Sequence, residues 1–162
     1  MIARRSGGDP PLSFELPSGP GTYILVLMVF WESVIEVGAL GEQTFEPGFW
    51  LYCGSALGPG GLAARVAHHA RFAERPRWHI DYLRFAGTPA EVWYARSEES
   101  LECGWSGILS GIREVTRGPL GFGSSDCGCS SHLFHVDRLD IFEEFSRLAT
   151  GVERVEAVRP DG

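Results

Sequence analysis

The sequence contains no lysine; all 14 of its basic residues are arginine. Genomic base bias produces such a composition as readily as function does. Arginine nevertheless offers a planar fork that grips phosphate bidentately, where lysine offers a point charge. Acidic residues outnumber basic ones 21 to 14, for a net charge of −7. That balance argues against a broad, non-specific nucleic-acid binder but leaves room for a local basic patch. Arg65, Arg71, Arg75, Arg77 and Arg84 fall in one short segment. Long hydrophobic runs are missing too. The longest, residues 24–31, is far shorter than the roughly 20 residues that cross a bilayer. No apolar stretch follows Arg4-Arg5, so no export signal is expected and the protein is expected to be cytoplasmic, without a membrane partner. Internal repeats are absent. At 162 residues the chain reads as one domain over residues 20–150, with a Gly/Pro/Ser-rich disordered tail at 1–19 and a frayed, flexible tail at 151–162.

Cysteine is scarce as well. In a cytosolic protein four cysteines read as free thiols or metal ligands rather than disulfides. Cys53 falls in a strand, as a small core residue, and Cys103 in a helix, packed. Cys127, Cys129, His132 and His135 crowd into nine residues. Their spacing is C-x-C, without a second knuckle, and a strand through 133–136 would point His132 and His135 to opposite faces. The spacing therefore argues against structural zinc at Cys127/Cys129/His132. It favours a loop whose thiols and hydroxyls satisfy local backbone groups.

What is present is centred on residues 49–72. Phe49 to Cys53 is bulky and aromatic, a strand preceded by the turn Glu46-Pro47-Gly48. Gly58-Pro59-Gly60-Gly61 breaks regular structure. Residues 62–72 follow as a helix with Leu62, Val66, Ala70 and Ala73 on its buried stripe. Arg65 and His69 are four apart and share one helix face. A strand-end tyrosine, a glycine and this pair can hold a phosphate; they can equally belong to an ordinary strand-loop-helix. Upstream, residues 21–30 are apolar on both faces, a central strand. Residues 33–40 alternate and are expected to pair with that strand as an antiparallel hairpin. Downstream, Trp78, Tyr82 and Phe85 suggest a short helix stripe, ended by Gly87-Thr88-Pro89. Residues 90–96 read as a strand. A helix capped by Ser97 buries Leu101, Trp105, Ile108 and Ile112, with Glu102 at its rim. Residues 118–131 form an irregular loop, 133–136 a strand and 138–149 a last helix.

Gly21-Thr22-Tyr23 opening the first strand and Tyr52-Cys53-Gly54 ending the third, then Arg65, His69 and Glu102 on following helices, resemble the GIY-YIG nuclease superfamily over residues 20–136. The strings Gly54-Ser55-Ala56, Gly58-Pro59-Gly60-Gly61, Trp78-His79-Ile80-Asp81-Tyr82, Leu101-Glu102-Cys103, Phe122 to Cys127 and Ser131 to Phe134 resemble one small prokaryotic branch of it, a domain of unknown function also found fused to endonuclease III. Thr22 and Cys53 stand where isoleucine is usual, and the loop after Gly54 is longer and lacks a lysine that some repair nucleases carry there. The resemblance implies an α/β (α+β) fold: a three-stranded, mostly antiparallel central sheet flanked by helices, with an added C-terminal strand and helix. It implies a metal-dependent endonuclease that hydrolyses phosphodiester bonds in DNA, in repair or processing. Its catalytic residues would be Tyr23, Tyr52, Arg65, His69 and Glu102, with one Mg²⁺ or Mn²⁺ at Glu102. Tyr52 or Tyr23 would act as general base or orient the water. Gly54, Ser55, His79, Asp126, Cys127 and His132 are the expected substrate contacts. DNA (branched, damaged or duplex) and a repair protein are the expected partners. The other expectation from the same resemblance is an inactive module that binds nucleic acid or protein.

Overall fold

The computed structural model describes residues 12–159. Its fold is organised by β1 (Gly21–Val29), which sends Tyr23, Leu25, Leu27 and Val29 to one face and Ile24 and Val26 to the other. Each face meets its own apolar core, so this strand must lie inside a covered sheet. It pairs antiparallel with β4 (Gly48–Ala56) on one side and β5 (Gly87–Arg96) on the other. β6 (Thr116–Arg117), β7 (Leu133–Val136) and β8 (Glu153–Glu156) complete a six-stranded sheet in the order β6-β7-β4-β1-β5-β8. The class is the mostly antiparallel α/β arrangement expected, with a wider sheet.

Residues 33–40 do not form a hairpin with β1. β2 (Ser33–Glu36) pairs instead with β3 (Glu42–Phe45), in a separate two-stranded sheet. The reason is occupancy: both edges of β1 already hydrogen-bond to longer strands. β2 alternates half-buried and exposed residues, which suits an outlying ribbon. β5 starts earlier than expected because Pro89 is absorbed opposite Leu27, at a register shift between Val26 and Leu27. A bulge tolerates the missing N–H.

Helices cover both faces. α1 (Gly61–Ala70) and α2 (His79–Leu83) pack with β2 and β3 over the Tyr23 face; α3 (Glu102–Ser110) and α4 (Phe142–Leu148) cover the other. The stripe expected for α2 is corrected: Ile80, Asp81 and Leu83 are buried, while Trp78 and Phe85 are 43% and 48% exposed. Asp81 sets that rotation. Its Oδ2 accepts hydrogen bonds from the backbone N–H groups of Arg77 and Trp78, both at 3.0 Å. Arg84, counted above with a basic patch, is buried and donates to the carbonyls of Ala70 and Gly87.

The expected tails are tied down where they are described. Leu62 and Ala63 donate their N–H groups to the carbonyls of Gly19 and Pro17, satisfying amide donors at the start of α1 that have no partner within the helix. Gly61 has φ +56, and a Cβ there would run into the Gly19 carbonyl. Ser13 bridges Val158, and Phe14 and Leu16 pack on the core. Residues 1–11 of the expected N-terminal tail lie outside the described residues. At the other end, the stretch expected to fray becomes β8, held on β5 by Arg154. Its guanidinium donates to both Glu91 carboxylate oxygens at 2.8 and 2.7 Å. Among the described residues no helix is long and apolar enough to cross a membrane.

Candidate functional site

Strand alternation puts Tyr23 and Tyr52 on the same face of neighbouring strands, with Tyr23 opposite Gly54. A Cβ on Gly54 would occupy the position of the Tyr23 hydroxyl, so that glycine is required by the phenol crossing it. α1 lies above and brings His69 down between the rings, 6.2 Å from Tyr23 and 6.0 Å from Tyr52. Behind His69 stands Asp81, with Nδ1 to Oδ1 at 3.9 Å. Both atoms are buried and without a hydrogen-bond partner among the described residues, so a small closure would join them.

Electrostatics follow from this burial. The His69 pKa falls to about 4, because burial disfavours the imidazolium more than Asp81 favours it. Burial raises the Tyr23 phenol well above its ordinary value, and Tyr52 adds to the rise. The Tyr52 phenol is raised by burial and then by the Glu102 charge. The charge of Arg65 lowers both phenols against this trend. Arg65 and Glu102 therefore act on the same tyrosine pair with opposite sign.

Arg65 lies one turn before His69, with its guanidinium 5.1 Å from the centroid of the Trp78 ring. It lines an open depression of about 270 Å³ together with Ala56, Gly58, Gly61, His68 and Trp78. Glu102 begins α3. The preceding Leu101 N–H donates to Thr22 Oγ1 at 3.0 Å, which pins this helix end against β1. The cap expected at Ser97 is instead a local turn, its hydroxyl accepting from the Glu99 N–H. The donor set here is one half-buried carboxylate beside two phenols and an arginine. That set suits a hard divalent cation, which takes oxygen ligands and retains several waters.

The remaining expected site residues divide between two places. Gly54 belongs to the buried tyrosine cluster. Ser55, also on β4, shares a hydrogen bond with Ser100 at 2.7 Å. His79 accepts the Gly123 N–H on Nδ1 at 2.8 Å, and Gly123 packs directly on the Tyr52 ring. His79 thus holds the 118–132 loop against that cluster; burial lowers its pKa. Asp126 is exposed on that loop. Cys127 and His132 face a second cluster: Cys127 Sγ is 3.1 Å from His132 Nε2. Cys129 and Cys103 join them, and the ligand atoms of all four residues lie within 4.8 Å of one another. Cys103, expected to be packed, is exposed on the first turn of α3. Hydrogen bonding to Cys129, with burial next, pushes its thiol up to about 12.

Sequence reasoning passed over Asp81 and Trp78 as site residues. Both lie in the string Trp78-His79-Ile80-Asp81-Tyr82, already notable for its resemblance, but the burial of Asp81 against His69 appears when α1 and α2 meet. Cys103 was missed as a cluster member because 23 residues separate it from Cys127 in sequence.

No curated protein and no solved structure matches the chain. One family model does match, over residues 22–154, and that span takes in both tyrosines, both clusters and the whole sheet up to the start of β8. The chain belongs to the family described as Domain of unknown function DUF123.

Proposed function

We propose that this domain is a GIY-YIG-type nuclease, of the branch also found fused to endonuclease III, and that it hydrolyses phosphodiester bonds in DNA during repair or processing. The observation that supports this reading best is the gathering of Tyr23, Tyr52 and His69 in one buried cluster under the opposed charges of Arg65 and Glu102. Arg65 grips the phosphate with its planar fork, and its stacking on Trp78 limits the side-chain freedom lost on binding. A Mg²⁺ or Mn²⁺ at the Glu102 carboxylate would supply charge neutralisation at the phosphoryl and leaving oxygens.

The raised phenol pKa values assign the tyrosines a role other than free phenolate bases. Protonated Tyr52 and Tyr23 donate hydrogen bonds, orienting the attacking water and the phosphate. His69 is neutral at physiological pH, and the Asp81 carboxylate favours a proton on its Nδ1, leaving Nε2 as acceptor. As water attacks, its proton passes to a tyrosine oxygen while that phenol passes its own to His69. Catalysis of this kind relies on positioning and fixed charge.

The direct test is incubation of the wild-type protein with labelled single-stranded, duplex, nicked, flap and branched DNA, and with RNA. Mg²⁺ or Mn²⁺ is added in one series and omitted, without chelator, in the other. Cutting that requires the added cation supports the nuclease reading and shows the preferred structure. A second reading, a binding module without catalysis, draws on the burial of both phenols, 1% and 6% exposed. Binding of these substrates by folded protein with no cutting of any would select it.

A further inference from the structure

We infer that Cys103, Cys127, Cys129 and His132 form a structural zinc site, separate from the tyrosine cluster, that fastens the start of α3 to the 118–132 loop. Three thiols and one imidazole place their ligand atoms within 4.8 Å of one another. Tetrahedral zinc with Zn–S near 2.3 Å separates its sulfur ligands by about 3.8 Å. Small side-chain rotations of an exposed Cys103 and half-buried Cys127 and Cys129 cover the difference without moving the backbone.

The imidazole is already set for ligation. His132 is fully buried, and its Nδ1 lies 2.6 Å from Ser106 Oγ on α3. That hydrogen bond leaves Nε2 directed at Cys127 Sγ, 3.1 Å away. A metal-bound histidine characteristically has its second ring nitrogen held in this manner, which fixes the tautomer and the ring plane. Ser106 is itself buried at 3% exposure, so the partner is fixed. Three soft thiolates with one imidazole select zinc over the hard cations suited to Glu102, and four protein ligands close the site against catalysis.

The loop also gains from such a tie. Residues 118–131 contain no helix or strand, and Phe122 is their single buried apolar anchor. Phe122, the Gly123 bond to His79 and backbone bonds such as Gly121 N–H to the Ser130 carbonyl hold the loop near its ends, and a metal would add a tie at Cys127 and Cys129 against the entropy cost of an irregular segment. The C-x-C spacing that argues against zinc in the sequence concerns the loop alone. The fourth ligand arrives from α3, and His135 is not needed: it packs on Trp50 and bonds the Pro47 carbonyl.

The test is metal content, independent of any nuclease activity. Protein purified without metal-affinity resin or chelator is expected to carry one zinc per chain. Stripped, reduced protein is expected to take up Co²⁺ with thiolate charge-transfer absorption and tetrahedral ligand-field bands. Cys127→Ser and Cys103→Ser should lose the metal; Cys53→Ala, at a buried thiol outside the cluster, should keep it. Ser106→Ala should bind zinc about 10–100-fold more weakly. If Cys127→Ser fails to fold, the exposed Cys103→Ser and the Co²⁺ spectrum of the wild type carry the test. The inference is overturned by folded, reduced wild type that takes up neither Zn²⁺ nor Co²⁺. Unchanged zinc content in Cys103→Ser, or a disulfide from Cys103 to Cys127 or Cys129 in metal-free native protein, overturns it too.

Discussion

At the scale of single residues the most informative group is His69. Its imidazole is neutral because burial lowers its pKa from an ordinary 6.5 to about 4. The sign of the pH dependence follows: the unfolded chain takes up this proton near pH 6.5, and the folded chain resists until about pH 4. Stability from this group is therefore full above 6.5 and lost as pH falls toward 4. A shift of this size corresponds to a loss of about 3 kcal/mol across that window. Urea unfolding of wild type and His69→Asn from pH 7.5 down to pH 4 should show a slope in the wild type that flattens in the variant. Parallel slopes would mean that His69 does not hold a depressed pKa. Gly54 shows the same logic of position. It is fixed by the hydroxyl of Tyr23 lying where its side chain would be, an interaction across two strands that no local pattern announces.

Among elements, β8 at the sheet's outer edge adds one ion pair to its ladder with β5. Arg154 on β8 reaches the Glu91 carboxylate on β5 with two hydrogen bonds and lies 4.9 Å from the centroid of the Phe142 ring. Glu91 also accepts from the Trp93 indole N–H at 3.0 Å. Since Arg154 is partly exposed, screening limits its contribution, and Arg154→Ala should cost about 1 kcal/mol. Amide hydrogen exchange over residues 153–156 should accelerate well beyond that over β1; equal protection in variant and wild type would show that β8 is held by other contacts. This strand was invisible in the sequence, because Glu153-Arg154-Val155-Glu156 offers a single apolar residue, Val155, among three charged ones, as an edge strand is permitted to do. β1, β4, α1 and α3 were legible for the opposite reason: each buries a long apolar stripe whose period the residues repeat. β2 was legible as a strand but not in its partner, since alternation says which face is buried and nothing about which edge is vacant. The tyrosines, Arg65, His69 and Glu102 were read from a resemblance in order and spacing. Asp81 and Cys103 were not, because their significance appears when separate elements meet.

On the scale of the whole molecule, charge is unevenly distributed along the chain. The chain carries a net charge of −7, yet Arg65, Arg71, Arg75 and Arg77 all belong to α1 and the segment leading into α2. If this arginine-rich segment meets the phosphates of the proposed DNA substrate, affinity should fall steeply with salt. The hard carboxylate of Glu102 and the soft thiol of Cys103 are adjacent on α3, so the two cations proposed above would share one helix end. The central claim, that the tyrosine cluster cuts phosphodiesters, is most directly tested by comparing wild type with Glu102→Ala on the best-cut DNA. The comparison uses single-turnover conditions, low salt and added Mg²⁺, with the DNA dissociation constant measured in parallel. The expected result is a cleavage rate at least about 100-fold lower in the variant with DNA affinity changed by less than about threefold, because a carboxylate that acts in the transition state contributes to rate far more than to binding. Equal rates in the two proteins would contradict it.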